Sequence, residues 1–166
     1  MSVSSSNGES VTELAQVFIG VGSNIDREQN IRSGIRALRE QFVRVTSSTV
    51  YESTAVGFAG ENFYNLVVAM ETGLTPKELQ DSLHDIENQY GRKRGDSRYV
   101  SRTLDLDLLL YEDLVSDEDG LQIPREDVTK FAFVLCPLSE LAVPYTDLWA
   151  AFEQGEQKLW PVDLDI

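Results

Sequence analysis

The chain has 166 residues, 42% hydrophobic and 25% charged, enough for one ordinary globular domain with its own core. Its 28 acidic residues against 14 basic ones give a formal net charge of -14, the opposite of a nucleic-acid binder's basic footprint and ill suited to an anionic membrane surface. A single cysteine excludes an internal disulfide, a single histidine beside it argues against a zinc site or a Cys-His nucleophile pair, and no apolar run approaches the roughly 18 residues of a membrane span.

Residues 1–16 are rich in serine and acid, lack the charged and apolar regions of a signal peptide, and are expected to form a loose arm ahead of one domain over 17–166 with a cytoplasmic address. Residues 17–21 are an apolar β-rich run followed by Gly22-Ser23-Asn24, which reads as a buried strand ending in a turn. Asp26 with Gln29 resembles a capping box, and Ile31, Ile35, Leu38 and Phe42 recur at helical spacing. Residues 43–51 and 63–72 read as two strands joined by a loop that carries Gly57 and Gly60. The next helix has the fullest set of signals: Thr75 as cap, Pro76 at the first helical position, Glu78 closing the box, Leu79, Leu83, Ile86 and Tyr90 as its apolar face, and Gly91 as its stop.

A basic run follows. Arg92, Lys93, Arg94, Arg98 and Arg102 place 5 of the 14 basic residues in one short stretch of an acidic chain, a concentration that suits a polyanion because guanidinium forks match phosphate oxygens. The run leads into Leu104-Asp105-Leu106-Asp107-Leu108, whose period of two predicts a strand with the leucines on one face and both carboxylates on the other. By itself such alternation is the pattern of any strand with one solvated face. Beside the arginines it also suits hard cations, since Mg²⁺ is commonly held by one or two carboxylates together with substrate phosphates, and carboxylates roughly 6.6 Å apart can reach two ions about 3.5 to 4 Å apart. After an acidic loop over 112–120, residues 131–135 read as a last core strand and 137–141 as a short helical turn, while the tail carries no assignment. The element order β, α, β, β, α, β predicts an α+β fold of ferredoxin-like type, with a mostly antiparallel sheet, helices on one face and the other face left for ligands.

Other patterns narrow the chemistry. There is no Gly-x-x-x-x-Gly-Lys-Ser/Thr phosphate loop, and Gly20-x-Gly22 lacks the third glycine of a dinucleotide fingerprint. His84 lies beside an apolar helix stripe and reads as a helix-surface residue, and Cys136 within an apolar run reads as a small buried hydrophobe.

The segment Arg98-Tyr99-x-x-Arg102-Thr103-Leu104-Asp105-Leu106-Asp107-Leu108-Leu109 resembles the signature of the 6-hydroxymethyl-7,8-dihydropterin pyrophosphokinases, enzymes of folate biosynthesis. Similar features appear at Gly22-Ser23-Asn24, from Tyr51 to Gly57, at Phe63-x-Asn65, at Ile86-Glu87, at Gly91-Arg92-x-Arg94, at Ile123-Pro124 and at Phe133-Val134-Leu135, so the resemblance covers roughly residues 17 to 143. It implies a ferredoxin-like fold and transfer of pyrophosphate from ATP to the hydroxymethyl oxygen of a reduced pterin, with ATP and the pterin as partners, two Mg²⁺ ions as cofactors, and a monomeric enzyme. Asp105 and Asp107 match the family's metal ligands, and with Arg92 and Arg102 they make up its catalytic set. Glu87, Arg94, Arg102 and Leu108 match positions around the nucleotide, with Arg125 and Lys130 as further charges there, and Phe63, Asn65, Tyr99, Phe133 and Val56 match positions around the pterin. Three places depart from the family's pattern: Arg125 stands where a histidine follows the Ile/Val-Pro pair, Phe131 where an arginine is usual, and Thr54-Ala55 where the pterin loop has Pro-Pro. These departures keep open a relative that binds pterin or nucleotide without efficient catalysis, or one that takes a different pterin.

Overall fold

A computed structural model describes residues 13–54, 61–90 and 104–166. The elements in chain order are β1 (Ala15–Ser23), α1 (Arg27–Gln41), β2 (Val43–Ser47), β3 (Val50–Ser53), β4 (Phe63–Thr72), α2 (Pro76–Gln89), β5 (Asp105–Tyr111), a 3-10 turn (Glu118–Gly120), α3 (Asp127–Lys130), α4 (Ala132–Leu141), α5 (Pro144–Ala151) and β6 (Leu159–Val162). Six strands make one sheet in the order β5-β1-β4-β3-β6, with β2 paired to β4 beside β3, and every pairing is antiparallel. The fold is therefore α+β with an antiparallel sheet. Among the described residues no helix is long and apolar enough to cross a membrane.

Alternation along the three central strands divides the molecule into two layers. Val17, Ile19 and Val21 of β1, Leu66, Val68 and Met70 of β4, and Leu106 and Leu108 of β5 point to one face, where they meet Ile31, Ile35 and Leu38 of α1 and Leu79, Leu83 and Ile86 of α2. These side chains are all at most 3% exposed, and each such burial stabilises by about 1.5 to 3 kcal/mol. The helical spacing read from the sequence is the spacing that fills this layer. Helix α2 starts as predicted: Thr75 Oγ1 accepts from Glu78 N–H at 3.2 Å, Glu78 Oε1 accepts from Thr75 N–H at 2.9 Å, and Pro76 stands at the first position.

The expected cap of α1 is not formed. Asp26 has φ 43°, a left-handed conformation, and its side chain makes no capping bond; Asn30 Nδ2 instead donates to the Ile25 carbonyl at 2.6 Å. The expected single strand over 43–51 is broken at Ser48-Thr49 into β2 and β3, with Ser48 exchanging hydrogen bonds with Val67 through its N–H (2.9 Å) and hydroxyl (3.0 Å).

The opposite face also differs from expectation, because a helix covers part of it. Residues 131–135 are not a strand: Phe131 is extended, and α4 begins at Ala132. A five-residue apolar run has no periodicity that separates a strand from a buried helix. Here the helix prevails because its side chains Val134, Leu135 and Leu138 close over Phe18, Val67, Ala69, Leu109 and Leu110. The β1-β5 register supplies part of that surface: Phe18 pairs with Leu110 but Ile19 with Leu108, so Leu109 is an extra residue and both Leu109 and Leu110 pack in this second cluster. Glu140 fastens α4 to β3, accepting from Thr49 N–H at 2.9 Å and from the Tyr51 hydroxyl. Burial and then the hydrogen bonds to Glu140 and Cys136 hold the Tyr51 phenol far above its ordinary range, and burial also pushes up the Cys136 thiol. Cys136 is buried and His84 exposed, as read from the sequence.

The tail, left without assignment above, supplies α5 and then β6, an edge strand on β3 that tolerates Pro161 because one of its sides has no ladder to complete. At the other edge, β5 is fastened by Glu87 of α2, which is 2% exposed and accepts from Leu106 N–H at 2.7 Å. Replacing Glu87 by Ala would leave that edge N–H buried without its acceptor, so Glu87→Ala should lower unfolding free energy by about 1 to 3 kcal/mol in urea titrations. Glu87→Gln, which keeps an acceptor, should lose less.

Candidate functional site

Beside the first turn of α4 the second face of the sheet is open, and the side chains that would fill it are missing by sequence. Gly20 and Gly22 occupy the positions of β1 that point there. Gly22 lies between Asp105 of β5 and Asn65 of β4, and Gly20 between Asp107 and Val67. The result is a cleft of about 270 Å³ with a glycine floor. The sequence showed these glycines only as an incomplete dinucleotide fingerprint; the strand pairing gives them their role.

Gly22 is required by a close approach. A Cβ at this position would stand 2.6 Å from Asn65 Oδ1, whereas one at Gly20 would meet Leu109 at an ordinary 3.5 Å. Asn65 is further held by its Nδ2, which donates to Ser53 Oγ at 3.3 Å. A primary amide has a second N–H and a carbonyl with two acceptor positions, so its remaining capacity suits the edge of a polar heterocycle. Phe63, one step along β4, joins Asn65 in the lining, and Phe133 comes in from the first turn of α4. Neither ring belongs to the two buried clusters as a core member, so both are surfaces of the cleft.

Phe131 was singled out above only as a lost arginine, yet its ring lines the cleft and stacks on Phe133 with centroids 5.0 Å apart and planes 19° from parallel. Lys130 is exposed and carries its Nζ 5.5 Å from the centroid of the Phe131 ring, over its face. Three aromatic rings and an amide thus gather on the β4 and α4 side, about two strand spacings, or roughly 10 Å, from the carboxylates of β5.

On that β5 side Asp105 and Asp107 point into the cleft, as the alternation predicts, with the Asp107 side chain 42% exposed. Asp127, from the start of α3, lines the same wall. The sequence reading missed Asp127, because an acidic residue in a short polar segment has no pattern that sets it apart. Arg125 stands between these groups: its Nε donates to Asp127 Oδ2 at 3.2 Å, and its Nη2 is 3.9 Å from Asp107 Oδ1. Partial burial would lower the guanidinium, but the carboxylates of Asp107, Asp127 and Asp105 outweigh it, and the net shift is upward.

Of the other predicted residues, Leu108 is buried in the helix-side core and Glu87 is engaged at the β5 edge; neither side chain lines the cleft. Arg92, Arg94, Tyr99, Arg102 and Val56 lie outside the described residues. Among the described residues no three His, Cys, Asp or Glu side chains converge to hold a metal ion by themselves. Two carboxylates opening on a cleft large enough for a ligand do fit Mg²⁺, which takes few protein ligands and completes its shell with water and substrate phosphates.

The molecule is an α+β domain with an aromatic and amide pocket facing a carboxylate pair across a bare strand, the make-up of a small-molecule binding site. Residues 18–143 match the family model described as 7,8-dihydro-6-hydroxymethylpterin-pyrophosphokinase (HPPK), and the chain belongs to that family. It is 38% identical over 131 residues to the 2-amino-4-hydroxy-6-hydroxymethyldihydropteridine pyrophosphokinase of Aquifex aeolicus, covering 77% of this chain and 81% of that one. The Bacillus subtilis protein of the same name is 38% identical over 128 residues, 75% of this chain and 76% of that one. The folate synthesis bifunctional protein of Arabidopsis thaliana is 35% identical over 133 residues, which are 78% of this chain and 28% of that longer protein.

The two floor glycines give a paired prediction. Gly22→Ala should displace the Asn65 amide at a cost of about 1 to 3 kcal/mol, read as a lower melting temperature and weaker pterin binding. Gly20→Ala should change the melting temperature little.

Proposed function

We propose that the chain is a 2-amino-4-hydroxy-6-hydroxymethyldihydropteridine diphosphokinase of folate biosynthesis that binds the pterin between Phe63 and Phe133 and the metal-bound triphosphate at Asp105 and Asp107. The observation that carries this reading is the cross-strand row Asp105-Gly22-Asn65, which sets a metal-type carboxylate and a ring-reading amide on either side of a bare glycine. A flat bicyclic ring calls for aromatic faces and a few fixed polar groups, which Phe63, Phe133, Asn65 and Ser53 supply.

With ATP in the cleft, the hydroxymethyl oxygen of the pterin forms a bond to the β-phosphorus as the bond from that phosphorus to the α-β bridging oxygen breaks, releasing AMP and a proton. Such a transfer depends on positioning and charge neutralisation more than on covalent help from the protein. Asp105 and Asp107 would hold the two Mg²⁺ ions, which would supply neutralising charge when bound. The chain's own groups orient the acceptor ring by stacking and by the amide, and hold the carboxylates at fixed spacing on β5. Arg92 and Arg102 would add charge at the phosphates, Arg94, Arg125 and Lys130 would add charge around the nucleotide, and Tyr99 and Val56 are assigned to the pterin; Glu87 and Leu108, which do not line the cleft, would serve the nucleotide only by holding β5. The core strand order β5-β1-β4-β3, with α1 and α2 on one face, supports a ferredoxin-like fold. A monomer in the cytoplasm is the state we infer.

A second reading concerns the acceptor. Phe131 adds a third ring to the cleft wall, stacked on Phe133, which favours a different pterin as acceptor; comparing kcat/KM across a panel of pterin alcohols separates it from the first.

Incubation with MgATP and 6-hydroxymethyl-7,8-dihydropterin should yield AMP and the pterin diphosphate in equal amounts, and neither product above background would refute the proposal. Asp105→Ala and Asp107→Ala should each lower kcat on the order of a hundredfold or more. Their melting temperatures should stay near that of the parent, because the leucines on the other side of β5 are untouched.

A further inference from the structure

The geometry points to Arg125 as a built-in counter-ion that holds Asp107 until nucleotide arrives, so that the divalent cation is admitted together with the triphosphate rather than ahead of it. This inference rests on the reading of Asp107 as a metal ligand. Arg125 is placed by two independent restraints. Its backbone N–H donates to the Leu109 carbonyl at 3.0 Å, fixing its main chain beside β5 two residues from Asp107. Its Nε donates to Asp127 Oδ2 at 3.2 Å, which turns the guanidinium toward Asp107 and leaves Nη2 3.9 Å from Asp107 Oδ1. At that distance the pair attracts without the directional bond made to Asp127, so Asp127 is the anchor and Asp107 the releasable partner.

A guanidinium keeps its charge at every pH the protein meets, so it competes with a metal ion for Asp107 as a permanent cation. It also matches phosphate oxygens in bidentate geometry. A metal-bound triphosphate therefore offers both partners of the pair something better: the metal takes Asp107, and Nη2 swings to phosphate while Nε keeps Asp127. With side-chain exposures of 40% and 42%, Arg125 and Asp107 have room for this exchange. Free metal without nucleotide gains Asp107 but leaves the guanidinium no new partner. Asp127 acts through Arg125 and is a positioning residue.

Binding of Mn²⁺ as the probe, followed by its electron paramagnetic resonance signal, tests the inference on the nucleotide-free chain. Arg125→Gln should bind Mn²⁺ alone about fivefold more tightly than the parent, the scale of one half-exposed charge pair, and should bind Mn²⁺ with a non-hydrolysable ATP analogue more weakly. Arg125→Lys keeps the charge but not a fork that spans both carboxylates, and should fall between. Since the side chain is partly exposed, all variants should keep the parent's melting temperature; if Arg125→Gln does not fold, the Lys variant decides alone. Unchanged or weaker binding of free Mn²⁺ in both variants overturns the inference. Asp107→Asn separates the two levels: weaker Mn²⁺ binding there with no gain at Arg125 defeats the counter-ion alone, whereas unchanged binding defeats the metal reading and the inference with it.

Discussion

Strand β1 has to satisfy opposite demands on its two faces, and the rest of the molecule follows from how it does so. Val17, Ile19 and Val21 must be bulky to close the layer under α1 and α2, while Gly20 and Gly22 must carry nothing if a ligand is to lie against the sheet. Because side chains alternate with a period of two, a slip of one residue would bring valines and isoleucine into the cleft and glycines into the core. The register is therefore held by the core, and the same register lines up Asp105 and Asn65 across Gly22.

The magnitudes show why the carboxylates stay where they are. Two carboxylates roughly 6.6 Å apart repel by about 0.6 to 2.5 kcal/mol, depending on how much water reaches them. Burying a leucine side chain stabilises by about 1.5 to 3 kcal/mol, and β5 buries Leu106 and Leu108 on the helix side and Leu109 and Leu110 on the other. The strand therefore tolerates its charge pair, and a counter-charge from Arg125 lowers the repulsion further.

What was legible in the sequence divides along physical lines. Periodicity and capping identified β1, α1, α2, β4 and β5, because each has one buried face whose spacing is written in its apolar residues. The aspartates stood out by alternation and Phe63, Asn65 and Phe133 only through the family resemblance, and all five line one cleft. Helix α4 was misread because Phe131 to Leu135 is apolar without a period, and only the bulged surface of β1 and β5 decides its conformation. The C-terminal strand β6 was not readable at all, since four residues with a central proline give no strand signal until β3 offers its free edge. Gly20 and Gly22 carried their meaning only through the strands on either side. Of the residues visible as departures from a family pattern, Phe131 lines the cleft against Phe133, and Arg125 stands against the carboxylates of Asp107 and Asp127.

In the proposed enzyme the aromatic and amide pocket and the carboxylate pair serve one cleft and hold their ligands at the same time, across the width of β1. Paramagnetic relaxation measures this directly. With Mn²⁺ and a non-hydrolysable ATP analogue bound, the ring protons of a bound pterin and the side-chain amide signals of Asn65 should broaden to the extent expected for a metal roughly 10 Å away, two strand spacings, and Asp107→Asn should remove the broadening. Sharp pterin and Asn65 signals in the fully loaded parent protein would place the metal elsewhere and contradict a shared cleft.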